Sequence, residues 1–280
     1  MKKLCVIGYP VEHSLYPAIQ RCLMKLAGLD YEYEAVEVQE HELEDFVREA
    51  KAGAYTGFNV TTPHKRSIIP LLDEVSEEAQ QCGAVNTVVI RDGKAYGYNN
   101  DSLGFLDSME RFKIDPKGKK VLLIGTGASG QAITSALVRS GVEKVTVCNR
   151  SVYHAQDLAA RFPGSVDWIY FGTVPLRRAA AQADIIINAT NLGMSNGKQF
   201  SDLGFLRGAN PDAWLYDLVY SPRDTHLLQQ GRKQGLKTIP GIYMVIPQII
   251  EGFKDFTGQE LDHEAAWDAI AELVGESKRA

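Results

Sequence analysis

Long apolar runs are missing from this 280-residue chain, and no stretch approaches the ~18 consecutive apolar residues of a membrane span. An excess of charge of either sign is missing too. Thirty Lys and Arg face 35 Asp and Glu, a formal net charge of -5. Bulk binding to nucleic acid or an anionic membrane favours a basic surface, so neither is expected as a partner. Cysteine is scarce. Cys5, Cys22, Cys82 and Cys148 form no C-x-x-C pair, and none has a histidine at ligand spacing, so no metal is expected. Cys5 and Cys148 sit in apolar, strand-like runs, where a thiol acts as a small hydrophobe. A reducing, cytoplasmic setting is the expectation. Repeats and low-complexity tracts are absent as well. Lys2 and Lys3 precede only four apolar residues before Gly8-Tyr9-Pro10, too few for a signal-peptide core, so a buried first strand is expected.

What is present is ordinary globular composition, 45% hydrophobic and 23% charged, at a length that suits two domains. Leu4–Ile7 predicts a strand, Pro17–Leu26 a helix, Tyr31–Val38 a half-buried strand and His41–Lys51 a helix. Tyr55–Thr61 predicts a strand, and Thr62-Pro63 a helix start, as N-cap and first helical residue. Asp92-Gly93 predicts a hairpin between Ala84–Arg91 and Lys94–Tyr98. Six further strands are predicted at Val121–Ile124, Val145–Cys148, Val166–Ile169, Ile185–Asn188, Trp214–Val219 and Thr238–Ile239. That number suits a doubly wound dinucleotide fold. After Pro240-Gly241 the pattern is helical. The fold class expected is α/β, a Rossmann-type nucleotide domain at 102–239 plus a smaller α/β substrate domain at 1–101. The C-terminal helices, 240–280, return to the latter, with the site expected in a cleft between domains.

Gly125-Thr126-Gly127-Ala128-Ser129-Gly130 follows an apolar strand and opens a helical stretch. In that context G-x-G-x-x-G reads as a dinucleotide loop. The first glycine permits the turn, the second admits the pyrophosphate, and the third lets helix pack on strand. The helix N-terminus then offers N–H groups to the anion. An NAD-type site carries an acid at the end of the second strand. This chain reads Asn149-Arg150-Ser151 there. Arg150 can meet a 2′-phosphate with its planar donor fork, which selects NADP. His154 stands one helical turn on and would assist if protonated.

Polar residues in apolar surroundings mark the other domain. Asn59, Thr61 and Lys65 lie at a strand end, Asn86 in Gly83-Ala84-Val85-Asn86-Thr87, and Asp101 in Asn99-Asn100-Asp101. A lysine beside an aspartate makes a proton-transfer pair. The carboxylate orients the ammonium, and burial makes an ammonium easier to deprotonate.

These segments, with Val6-Ile7-Gly8, Pro10 and His13-Ser14-Leu15, resemble shikimate dehydrogenases. The likeness continues through Asn188-Ala189-Thr190, Gly193-Met194, Asp217-Leu218-Val219-Tyr220, Pro222, Thr225, Gly241, Met244 and Gln248. The resemblance implies NADP-linked, reversible reduction of 3-dehydroshikimate to shikimate, with hydride exchanged at the carbon bearing the 3-hydroxyl. Lys65 and Asp101 would be the catalytic pair. Asn59, Thr61, Asn86 and Gln248 would hold ring hydroxyls, and Ser14, Thr61 and Tyr220 the carboxylate. Asn149, Arg150 and Ser151 would meet the adenosine phosphate, and Thr190, Met194 and Gly241 the nicotinamide. A monomer or homodimer is expected.

Three positions depart from the family. It reads Ser-x-Ser where this chain has Ser14-Leu15-Tyr16, Asn-Thr-Asp where it has Asn99-Asn100-Asp101, and serine at Asn191. A phenol places its oxygen much farther from the backbone than serine does, so Tyr16 bears on which acid is bound. A quinate or related cyclic hydroxy-acid dehydrogenase, NAD-accepting, is the alternative. A non-catalytic nucleotide sensor would have no need of Lys65 and Asp101.

Overall fold

A computed structural model describes residues 2–12, 14–195 and 197–275. His13 lies outside the described residues. Along the chain come β1 (Lys2–Gly8), α1 (Tyr16–Leu26), β2 (Tyr31–Glu37), α2 (Leu43–Glu49) and β3 (Gly57–Val60). Next are β4 (Glu74–Val75), α3 (Glu77–Cys82), β5 (Thr87–Arg91), β6 (Lys94–Tyr98) and α4 (Asp101–Arg111). Strand and helix then alternate: β7 (Lys120–Ile124), α5 (Ala128–Arg139), β8 (Lys144–Asn149), α6 (Val152–Arg161), β9 (Val166–Tyr170), α7 (Thr173–Ala180) and β10 (Ile185–Asn188). β11 (Trp214–Asp217), α8 (His226–Lys233), β12 (Lys237–Pro240), α9 (Ile242–Thr257) and α10 (His263–Val274) follow. The chain divides into two compact units, Met1–Gly104 with Ile246–Ala280, and Phe105–Val245.

The first unit holds a mixed six-stranded sheet in the order β2-β1-β3-β5-β6-β4. β1 pairs in parallel with β2 and β3, while β5 runs antiparallel to β3 and β6. An apolar run such as Leu4–Ile7 suits a central strand covered on both faces, and all four residues are fully buried. Cys5, Ile7, Phe58, Val60, Val85 and Val88 pack with Leu43 and Val47 of α2. Asp92 and Gly93, both at positive φ, turn β5 into β6.

Two local expectations need correction. The stretch His41–Lys51 is a short 3-10 turn at Glu40–Glu42, then α2, then a π-turn at Ala50–Ala54. Gln39 and Glu42 form a reciprocal capping box that fixes the start. Thr62-Pro63 starts no α-helix. Residues 62–68 form turns leading into a 3-10 turn at Ile69–Leu71. The Lys65 carbonyl accepts from Val85 N–H at 2.7 Å, while Ile69 N–H turns to Arg66. A tertiary bond has taken the carbonyl a helix would need.

The second unit has sheet order β12-β11-β10-β7-β8-β9, and every neighbouring pair is parallel. Numbered within the unit this is 3-2-1-4-5-6, the doubly wound order. Chain direction across the sheet reverses between β7 and β10, and the carboxyl ends of these strands form the switch point where such folds bind ligands. Leu122, Ile124, Ile186, Leu215 and Leu228 fill one layer between sheet and helices. β11 ends at Asp217, two residues earlier than the apolar run suggests, because the Asp217 carboxylate takes the Val219 N–H. All four cysteines are free thiols. Burial pushes Cys82 up to about 11 and Cys148 up to about 12, which makes them poor nucleophiles.

Candidate functional site

In the first unit the side chains group around the start of α4. Lys65 Nζ donates to Asp101 Oδ2 at 2.8 Å, and the two side chains are 15% and 1% exposed. Asp101 opens α4, where the helix dipole favours a carboxylate. Its N–H donates to Asn99 Oδ1, and Asn99 Nδ2 donates to the Ala84 carbonyl. The other carboxylate oxygen, Oδ1, accepts from Asn86 Nδ2 at 2.8 Å.

Asn86 uses every polar atom of its amide. Nδ2 also donates to Gln248 Oε1 at 3.3 Å. Oδ1 accepts from the Thr87 hydroxyl and the Asn100 N–H. Asn59, inside β3, donates to the Asn86 carbonyl and to Thr87 Oγ1, and accepts from the Tyr33 hydroxyl at 2.6 Å. Burial first, then neighbouring Cys5 and Tyr16, push the Tyr33 phenol well above the ordinary tyrosine range. Tyr16 is the first residue of α1. Its own N–H donates to Ser14 Oγ at 3.2 Å. Thr61 is half-buried at the end of β3, held by its N–H to the Ile7 carbonyl.

The structure therefore brings together Lys65, Asp101, Asn59, Asn86 and Gln248. Ser14, Tyr16 and Thr61 belong to the same unit, the first two at the start of α1 and the third just past β3. Tyr220 belongs to the second unit, half-buried, its phenol pushed up by burial. Sequence reasoning missed Tyr33, Thr87 and Asp255. The last accepts from Asn100 Nδ2 at 2.8 Å. Their signal is a polar residue on an otherwise apolar strand or helix face.

In the second unit, the glycine loop links β7 to α5. Gly125 has φ +105, and a Cβ there would lie 2.7 Å from the Ala189 carbonyl oxygen. A Cβ on Gly130 would lie 2.2 Å from the Gly125 oxygen, whereas one on Gly127 would meet nothing within 4 Å. Two glycines are thus required by packing. The third, at the N-cap of α5, leaves backbone open to a ligand. No acid lies in the first turn of α5, which begins at Ala128 and Ser129. Thr126 Oγ1 is buried without a hydrogen-bond partner among the described residues. The Thr126 carbonyl is held by Gln131, which Arg161 holds in turn. An open N-terminus and an orphaned hydroxyl fit a pyrophosphate.

At the end of β8, Asn149 Nδ2 donates to the Ser151 carbonyl, and Ser151 is the N-cap of α6. Arg150 and His154 are exposed, and the first turn of α6 has no acid. The His154 ring meets Tyr153 edge-on at 5.8 Å. Thr190 Oγ1 donates to Asn188 Oδ1 at 2.7 Å, and Met194 is 42% exposed. A Cβ on Gly241 would lie 2.3 Å from the Leu218 oxygen, so that loop rests on the end of β11. Beneath these residues the fully buried Asp217 accepts from Asn188 Nδ2, Val219 N–H and Thr225 Oγ1. Burial raises its carboxyl to about 6.

Comparison with known proteins agrees with this geometry. Residues 6–88 match the shikimate dehydrogenase substrate binding domain, and residues 108–195 match shikimate / quinate 5-dehydrogenase. A shikimate dehydrogenase (NADP(+)) of Alkaliphilus metalliredigens is 36% identical over 264 residues, covering 92% of each chain. The structure of shikimate 5-dehydrogenase from Thermus thermophilus in complex with NADP(H) and shikimate superposes with a TM-score of 0.85 at 32% identity, covering 98% of this chain and 100% of that one. Quinate dehydrogenase from Corynebacterium glutamicum in complex with NAD gives 0.84 at 32% identity, covering 97% and 99%. With its doubly wound sheet, glycine loop and Lys65–Asp101 pair, the chain belongs to the shikimate dehydrogenase family.

Proposed function

We propose that the chain is an NADP-dependent oxidoreductase that interconverts 3-dehydroshikimate and shikimate, with Lys65 and Asp101 handling the proton. The observation that carries this reading is the Lys65–Asp101 ion pair at 2.8 Å, almost excluded from water. NADPH, when bound, would supply the hydride that the carbonyl carbon accepts. Lys65 donates a proton to the carbonyl oxygen as it becomes a hydroxyl, and is reprotonated from solvent. In the reverse direction the neutral amine accepts the hydroxyl proton. Asp101, 2.8 Å from Lys65 Nζ, holds the amino group on target. Asn59, Thr61, Asn86 and Gln248 would orient ring hydroxyls, while Ser14, Thr61 and Tyr220 would address the carboxylate. The open loop 125–130 would seat the pyrophosphate, and Asn149, Arg150 and Ser151 the 2′-phosphate. Thr190, Met194 and Gly241 would line the nicotinamide end. The free thiols support a cytoplasmic setting.

Tyr16 supports a second reading, quinate as substrate, because it replaces a carboxylate-binding serine with a phenol. Rates of cofactor reduction with shikimate or quinate, each with NADP or NAD, separate the readings. NADP with shikimate is expected to be fastest, and Tyr16→Ser to change the shikimate-to-quinate ratio of kcat/KM. No turnover in any combination would overturn the function, and an unchanged ratio would remove Tyr16 as the determinant.

A further inference from the structure

One helix carries three positions that meet the amide cluster. Gln248, Gly252 and Asp255 stand at i, i+4 and i+7 on α9, which places them on one face over two turns. Gln248 Oε1 accepts from Asn86 Nδ2 at 3.3 Å. A Cβ on Gly252 would lie 3.5 Å from Asn59 Nδ2, 3.6 Å from Thr87 Oγ1 and 3.7 Å from Asn100 Nδ2, so the backbone of α9 runs directly over these groups. Asp255 Oδ2 accepts from Asn100 Nδ2 at 2.8 Å. Asn100 in turn gives its N–H to Asn86 Oδ1, and Asn86 grips Asp101 Oδ1. The seam ends on the carboxylate that holds Lys65.

We propose that Asp255 is a positioning residue, which through Asn100 and Asn86 fixes the Asp101 carboxylate and the Gln248 amide for the reaction assigned above. The proposal rests on that assignment. It also accounts for Asn100, where the family reads threonine. An asparagine reaches α9 with an N–H donor, and Asp255 supplies the acceptor. Asn86 has no spare polar atom, so slack at Asn100 passes to Asp101 instead of being absorbed by an alternative bond.

The test compares Asp255→Ala with Asp255→Asn, which keeps a side-chain oxygen for Asn100. With kcat taken per folded protein, Asp255→Ala is expected to lower it by about tenfold to a hundredfold, the scale of a misplaced reactive group. KM for NADP is expected to stay unchanged, the pH profile of kcat to move, and Asp255→Asn to recover most of the loss. Asn86 side-chain amide signals, followed by NMR without substrate and assigned with Asn86→Ser, are expected to shift in Asp255→Ala and not in Asp255→Asn. An unchanged kcat and pH profile in Asp255→Ala, equal impairment of both variants, or unmoved Asn86 signals would overturn the proposal. If the wild-type protein fails to oxidise shikimate, the assigned reaction is wrong, and the NMR comparison still decides whether Asp255 positions Asn86.

Discussion

Replacing Lys65 with methionine isolates the energetics of the buried pair. The change keeps the length of the stem and removes the charge. Asp101, 1% exposed, would keep the Asn86 amide but lose its ammonium partner. Breaking a buried ion pair by removing one partner costs about 3–5 kcal/mol, because the other charge is stranded. The surviving Asn86 bond sets the expectation near the lower end, about 3 kcal/mol. The sign with pH follows from linkage. In the variant the folded state favours the protonated acid, so the loss relative to the wild type is smallest in acid and grows as pH rises above the ordinary aspartate range, about pH 4. Urea unfolding followed by tryptophan fluorescence at pH 5 and pH 8 reads this directly. Lys65→Met is expected to lose more at pH 8, and Lys65→Met/Asp101→Asn to recover most of it. A single variant as stable as the wild type at pH 8, or a double variant no better than the single, would refute the reasoning.

Three further outcomes follow from the second unit. Arg150→Ala is expected to raise the Kd for NADP about tenfold to a hundredfold, the value of a hydrogen bond to a charged group, and leave that for NAD unchanged, as measured by fluorescence titration. Gly130→Ala and Gly127→Ala should separate stability from binding. The first forces a methyl to 2.2 Å from a carbonyl oxygen and should cost about 1–3 kcal/mol in urea, while the second meets nothing and should weaken NADP binding at unchanged stability. Asp217, raised by burial to about 6 from an unfolded value of 3.8, loses stability as pH rises through that window. Asp217→Asn removes a cost of roughly 3 kcal/mol, so its stability relative to the wild type should rise between pH 4 and pH 7 in thermal unfolding.

Much of the second unit is legible in the sequence because its central strands β7, β10 and β11 are buried on both faces. Each appears as a short apolar run, and Gly125 and Gly130 can be read for the close approaches they permit. Asp92-Gly93 fixes its hairpin for the same local reason. Lys65 and Asp101 can be singled out as polar residues among apolar ones, though 36 residues separate them. What the sequence hides are bonds between single polar residues far apart. Asn100 and Asp255 are 155 residues apart, and Asn86 and Gln248 162. The turn after Pro63 is hidden for a related reason, since the bond from Val85 to the Lys65 carbonyl outweighs a local helix signal.

In the proposed reaction, hydride leaves the ring carbon bearing the 3-hydroxyl and passes to the nicotinamide ring. Shikimate deuterated at that carbon, mixed with the enzyme and NADP, tests it most directly. The label is expected on the nicotinamide ring of the reduced cofactor. Reduced cofactor without label, or label released to water, would contradict the claim.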